Sequence, residues 1–186
     1  MRMRNVHLFA AAVAAWACCA TAMAFEASSP DIPAGQTIDP KFTFQGFGCS
    51  GQNLSPAVAW KNPPPGTQSF ALLVHDPDAP TGGAGFWHWV VVDIPADARQ
   101  VARGAGTADG KGLPAGARQL NTDFGTPGWG GPCPPAGDKA HRYNFTVYAL
   151  KVAKLELPPN ATASLAGFMI NSNSLGKAAF TGLYAR

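Results

Sequence analysis

Glycine and proline interrupt this chain so often that no long helix can run through it: 21 Gly and 17 Pro are spread over 186 residues. Proline inside a helix removes a hydrogen bond and clashes with the preceding turn, and glycine gives up the most backbone entropy on ordering. Between these interruptions lie short apolar runs. Ser69 to His75 is continuous and stops at Asp76-Pro77, and Phe86 to Val92 is another that stops near Pro95. Runs of this length bounded by turn residues read as buried strands. A third run, His141 to Leu150, alternates instead, which puts His141, Tyr143, Phe145 and Val147 on one face. Shorter strands are expected at Phe42 to Phe44 and at Ala57 to Trp60, a turn at Asn62 to Gly66, and mostly loop over residues 97–123. Asn160 is placed as the N-cap of a short helix reaching about Met169, with Leu165, Phe168 and Met169 inward, followed by a last strand from Ala178 to Tyr184. The expectation is a mainly β chain with one domain.

The first 24 residues read differently. Arg2 and Arg4 precede an apolar run from Val6 to Ala20, and Ala22-Met23-Ala24 supplies small residues at both recognition positions of a signal peptidase. A cleavable export signal cut after Ala24 is expected, leaving residues 25–186 as the domain and a periplasmic or secreted location. A retained anchor fits less well, because the run is short and Ala-rich. A lipoprotein would need a Leu-type residue three positions before Cys18 or Cys19, where Ala15 and Trp16 stand. The formal charge of the whole chain is +3, from 14 basic and 11 acidic residues. Loss of Arg2 and Arg4 leaves 12 against 11, near neutrality, which excludes a nucleic-acid binder. Eleven Phe and five Trp exclude a disordered chain. Cys18 and Cys19 leave with the signal, and Cys49 and Cys133 remain as an even pair in an exported protein. One disulfide is the natural reading; a metal site is the sharper alternative, with no Cys-x-x-Cys spacing behind it.

Chemistry gathers in three segments, each where a strand meets a turn. Asp76-Pro77-Asp78-Ala79-Pro80 fixes the Asp76 carboxylate directly after a strand. His88, in Trp87-His88-Trp89, is a polar side chain in an otherwise apolar strand. The Gly/Pro-rich stretch from Trp129 to Asp138 runs into His141-Arg142-Tyr143 and could cradle an anion with its backbone N–H groups. Each has an ordinary explanation when taken alone: an Asx turn, a satisfied core histidine, a loop. Two of the three histidines left after signal removal fall in these segments, which favours convergence on one pocket.

Taken together, these motifs in this order resemble the phosphatidylethanolamine-binding proteins, and their bacterial Raf-kinase-inhibitor-like branch most closely. Asn53-Leu54-Ser55-Pro56-Ala57 with Trp60 fits that branch too, and the likeness extends from about Asp31 to Tyr184. The resemblance implies a β-sandwich with a large antiparallel sheet, a smaller sheet and short peripheral helices. It also implies a surface pocket for phosphate, acetate or a phospholipid headgroup, formed by Asp76, His88, His141 and Tyr143 with Pro134 and Pro135 as its wall. Arg142 points to the other face of its strand and is assigned a structural pairing with Asp78. Cys49 and Cys133 resemble the pair found in exported relatives. Trp87 stands where eukaryotic members carry a further histidine, and their long C-terminal helix has no clear counterpart here.

The expected function is that of a non-enzymatic binder of small anionic or phospho-headgroup ligands, with no cofactor, no metal and no membrane span. The alternative is a secreted inhibitor acting on a protease or signalling partner; a protein partner and a homodimer both stay open. Asp76, His88 and His141 could form a two-His-one-carboxylate metal site or an acid/base pair. No Gly-x-Ser-x-Gly elbow supports a hydrolase.

Overall fold

The computed structural model describes residues 23–186. The expected signal segment therefore lies, apart from Met23 and Ala24, outside the described residues. The strands are Glu26–Ser28 (β1), Gln45–Gly46 (β2), Cys49–Ser50 (β3), Val58–Lys61 (β4), Ser69–Asp76 (β5), Phe86–Pro95 (β6), Gln100–Val101 (β7), Arg118–Gln119 (β8), His141–Leu150 (β9) and Ser174–Tyr184 (β10). An α-helix, Ala163–Asn173 (α1), leads straight into β10. The large sheet is antiparallel in the order β10-β9-β5-β6-β8, the small one runs β1-β4-β7, and β2-β3 is a separate hairpin. No helix among the described residues is long and apolar enough to cross a membrane.

Both faces of the large sheet are covered, which explains the unbroken apolar runs of β5 and β6. One face puts Phe70, Leu72, Val74, Trp89, Val91 and Phe145 against Val58 and Trp60 of the small sheet. The other puts Ala71, Leu73, Val90 and Val92 against Leu155, Ala163, Ala166 and Ile170. The mainly β sandwich with its large and small sheets matches the fold expected from the sequence.

Simple alternation fails twice along β6. Val74 lies opposite Trp89 and His75 opposite Trp87, so His88 has no cross-strand partner and forms a bulge. Phe70 lies opposite Ile94 and Leu72 opposite Val91, a second irregularity that contains Asp93 at φ +58°. A bulge adds a residue to one strand and re-aims the side chains around it. Trp87 consequently packs on the helix-covered face while Trp89 packs in the inter-sheet core.

Three local expectations are corrected. Phe42 to Phe44 is not a strand: Pro40–Phe42 is a 3-10 turn, started by proline and capped by Asp39, whose Oδ1 accepts from Lys41 N at 2.9 Å. The helix is capped by Thr162 rather than Asn160, with Thr162 Oγ1 accepting from Leu165 N at 3.1 Å. The later start turns small residues Ala163 and Ala166, together with Ile170, onto the sheet, which lets the helix sit close. Leu165 and Phe168 are left 39% and 68% exposed, and of the three side chains expected inward only Met169 packs against the core. The last strand begins four residues earlier than expected, at Ser174, and pairs with β9 as far as Tyr184–His141. The segment from 97 to 123 is mostly loop as expected, with only the two-residue strands β7 and β8.

Candidate functional site

Antiparallel pairing brings the C-terminal end of β5 and the N-terminal ends of β6 and β9 together at one end of the large sheet. Asp76, His88, His141 and Tyr143 therefore meet, although 65 residues separate Asp76 from His141. They line a cavity of about 260 Å³ together with Pro134 and Pro135, so all six residues expected at the pocket are in it. The Asp76 carboxylate is held at both oxygens. Oδ1 accepts from Asp78 N at 2.8 Å, closing the Asx turn that the Asp-Pro-Asp sequence predicts, and Oδ2 accepts from His141 Nδ1 at 2.8 Å. His141 Nε2 faces the 45%-exposed Asp138 carboxylate at 3.5 Å.

His88 is oriented from the backbone. Its Nδ1 lies 2.6 Å from Gly130 O, and a carbonyl only accepts, so Nδ1 carries the proton and Nε2 the lone pair. Burial disfavours the imidazolium and brings the pKa down to about 4, against the weaker opposing pulls of the Gly130 carbonyl and the Asp76 charge. His88 is thus a neutral acceptor at its pocket nitrogen, not the cationic donor that an anion site would use. Tyr143 O–H is buried with no partner at full hydrogen-bond geometry among the described residues; the Asp76 carboxylate is its nearest polar neighbour, and burial, then the charge and proximity of Asp76, raise its pKa.

Most amides of the loop expected to cradle an anion are committed elsewhere. Gly130 N donates to His88 O at 2.9 Å, Gly131 N to Asn53 Oδ1 at 2.8 Å and Gly137 N to Arg186 O at 3.0 Å. Pro132, Pro134 and Pro135 have no N–H to offer. The loop serves chiefly as a wall. Asn53 serves as its crosspiece, since Nδ2 also donates to Trp129 O at 3.0 Å.

Arg142 stays out of the pocket as expected. Its Nε and Nη2 both reach the Asp78 carboxylate at 2.8 Å, and this pairing holds the Asp78 carboxyl far below the usual carboxylate range. His75 lies on the opposite face of β5 from Asp76, with its ring on Trp87 and Nε2 at 3.1 Å from Ala84 O. Cys49 and Cys133 form a disulfide, Cα–Cα 6.0 Å. Among the described residues no three His, Cys, Asp or Glu side chains gather as a metal ion would need.

With this geometry established, comparison with known proteins gives a direct result. The family model for phosphatidylethanolamine-binding protein matches residues 28–185. The chain belongs to this family. Among curated relatives, E. coli K12 YbcL is 47% identical over 165 residues, covering 89% of this chain and 90% of that one. E. coli K12 YbhB is 41% identical over 157 residues, covering 84% and 98%. The crystal structure of E. coli YbcL, described as a new member of the mammalian PEBP family, superposes with a TM-score of 0.84 at 46% identity over 87% of this chain and 98% of that one.

Within this PEBP-family pocket the sequence reading missed the aromatic rim. Phe47, Phe86 and Phe124 line the cavity beside the polar groups. Phe124 packs on Phe86 at 5.0 Å and on His88 at 5.5 Å between ring centroids. Phe47 is 72% exposed and sits at φ +51° in the β2-β3 turn, a conformation that a bulky side chain rarely takes. Its only sequence signal is an aromatic residue flanked by two glycines, Gly46 and Gly48, just before a cysteine. The disulfide fastens that turn to the Cys133 loop, and Arg186 donates to Phe47 O, Gly48 O and Pro134 O.

Proposed function

We propose that this exported PEBP-family protein is a non-enzymatic receptor for small phosphate-bearing ligands, held at the Asp76–His141 pocket. One observation carries the reading: a buried Tyr143 hydroxyl without a protein partner at full hydrogen-bond geometry among the described residues stands beside a neutral His88. An unmet buried donor costs about 1–3 kcal/mol, which a ligand oxygen would recover. Among the described residues no Lys or Arg lines the cavity, so a fully ionised oxyanion is poorly matched there. A monoprotonated phosphate suits it better. Its P–OH donates to His88 Nε2 while another of its oxygens accepts from Tyr143 O–H, and His141, its Nδ1–H committed to Asp76, positions that carboxylate. The Phe47, Phe86 and Phe124 rim supplies apolar surface for the remainder of a headgroup.

A binding role rather than catalysis is supported by the committed state of the candidate nucleophiles at the cavity. Thr81 Oγ1 donates to Gly85 O at 2.9 Å and Cys133 is in the disulfide. Export is supported by the disulfide and by the charged and apolar pattern of the first 24 residues.

Calorimetric titration with phosphate, phosphoethanolamine and sulfate at pH 5.5 and 7.5 tests the reading. The second proton of a phosphomonoester leaves near pH 6, so both phosphates are expected to bind more tightly at pH 5.5. Sulfate, with no such proton, is expected to bind weakly at either pH. Tyr143→Phe should weaken phosphate roughly tenfold, the worth of one charge-assisted hydrogen bond. Sulfate that matches phosphate at both pH values, or a Tyr143→Phe variant that binds as the parent does, would sink the assignment.

A further inference from the structure

A second cavity, of about 560 Å³, lies against the first. The two share Phe47 and Phe124, whose rings stack at 6.1 Å and 11° and so form a common ridge. Resting on the phosphate reading of the first pocket, we infer that this second cavity binds an uncharged polyhydroxylated group, and that the two together take the phosphate ester of a sugar.

The lining argues this by elimination. Among the described residues no Asp, Glu, Lys, Arg or His lines the second cavity, so a charged group placed there would lose water without gaining a counter-charge. A purely apolar group fits no better. Gln45, Gln52 and Thr126 bring two carboxamides and a hydroxyl to the wall. None of these three side chains is bonded to another group of the described protein, unlike Asn53 and Thr122 beside them. Covering free carboxamides with hydrocarbon would leave donors and acceptors unmet. The other walls are flat and aromatic: Phe44 packs against Phe124 at 4.5 Å, and Trp129 closes the floor with its Nε1 already donating to Phe42 O at 3.0 Å. A sugar ring answers both features. Its C–H face lies on aromatic rings, and each hydroxyl, being donor and acceptor at once, meets the two-sided chemistry of a carboxamide.

Size and placement agree. The cavity falls within the roughly 300–1,000 Å³ usual for small-molecule sites, and the first pocket, at about 260 Å³, holds a phosphate with room for the atoms that link it to the next group. An ester that crosses the Phe47–Phe124 ridge puts its phosphate against Tyr143 and its ring against Gln52.

The experiment uses the full exported protein and three probes: inorganic phosphate, methyl glucoside, and a panel of glucose 1-phosphate, glucose 6-phosphate and mannose 6-phosphate. Titration calorimetry should give at least one sugar phosphate an affinity tenfold or more above inorganic phosphate. The Gln45→Ala/Gln52→Ala double variant, changed only at exposed side chains and so expected to fold, should erase that advantage while phosphate binds as before. Chemical shifts of the Gln45 and Gln52 side-chain amides should move on adding methyl glucoside alone. A panel in which no sugar phosphate exceeds phosphate, or an advantage that survives the double variant, overturns the inference. The two readings fail separately. If phosphate does not bind but methyl glucoside shifts the two amides, the phosphate pocket falls and the sugar cavity stands. If phosphate binds and no probe touches Gln45 or Gln52, the reverse holds.

Discussion

His88 is buried at the pocket wall, and the cost of charging it there has a consequence for the whole fold. Its folded pKa, about 4, lies below the 6.5 of an imidazole in water. As pH falls, the unfolded chain takes up a proton before the folded one does, so this residue's contribution to stability is complete above about pH 6.5 and is lost progressively toward pH 4. The loss amounts to roughly 3 kcal/mol at most, since each tenfold difference in proton affinity between the two states is worth about 1.4 kcal/mol. His88→Asn keeps an N–H directed at Gly130 O but cannot titrate, so the pH dependence of its urea midpoint between pH 4.5 and 6.5 should be flatter than the parent's. An unchanged slope would mean that the proton goes elsewhere. Tyr143→Phe probes the neighbouring hydroxyl by the opposite signature. Removing a buried O–H whose contact with the Asp76 carboxylate falls short of hydrogen-bond geometry should leave folding stability unchanged or raise it by about 1 kcal/mol. A clear destabilisation by urea denaturation would instead show that the hydroxyl has a protein partner and is structural.

At the scale of elements, the second irregularity of β6 is pinned by a buried charge. Asp93 Oδ2 accepts from Arg118 Nε at 2.7 Å, and Oδ1 accepts from Leu155 N at 2.8 Å. One carboxylate thereby ties β6 to β8 and to the chain that leads into α1. Asp93→Ala strands the Leu155 amide and the Arg118 charge together, and should cost about 2–4 kcal/mol by thermal or urea unfolding. Asp93→Asn, which tolerates the positive φ and can still accept from Leu155 N, should cost distinctly less. Equal costs for the two would show that the charge, not the amide bond, does the holding. This bulged strand also marks how far the sequence is legible. β5 and β9 could be read because buried runs and strict alternation follow from covered faces and pleat geometry. The four polar pocket residues could be read because His141 and Tyr143 share a face of β9, Asp76 ends β5 in an Asp-Pro turn, and His88 is the one polar side chain in the apolar run of β6. The bulge could not be read, since alternation would set His88 opposite both tryptophans, whereas Trp87 and Trp89 in fact face different layers. Nor could the helix register, where Ala163 and Ala166 outcompete Leu165 and Phe168 for the sheet because closeness matters more there than side-chain size. The rim residues Phe47 and Phe124 lie in loops that carry no periodicity, so nothing local reveals which way they point.

Across the whole molecule, the pocket wall depends on contacts between segments far apart in sequence. The Phe47 turn is joined to the Pro134 loop twice, by the disulfide across a separation of 84 residues and by the Arg186 guanidinium, which donates to Pro134 O at 2.6 Å, Gly48 O at 3.0 Å and Phe47 O at 3.3 Å. In the chain-entropy account a bond closing a loop of that length restricts the unfolded state by about 4.5 kcal/mol. Reduction should therefore lower the urea midpoint substantially. Its effect on the ligand should be smaller, because Arg186 still holds the turn to the loop and keeps Phe47 against the cavity. Arg186→Met in the oxidised protein should likewise weaken phosphoethanolamine only slightly, the disulfide then being the remaining tie. Removing both ties frees Phe47, whose backbone at φ +51° has every reason to relax. Loss of binding in the reduced Arg186→Met protein should accordingly exceed the sum of the two single losses, the mark of two groups serving one contact. Calorimetry on the four states, with circular dichroism confirming that each is folded, measures that excess. Strict additivity would show that the disulfide and Arg186 stabilise the fold independently and that neither positions the wall.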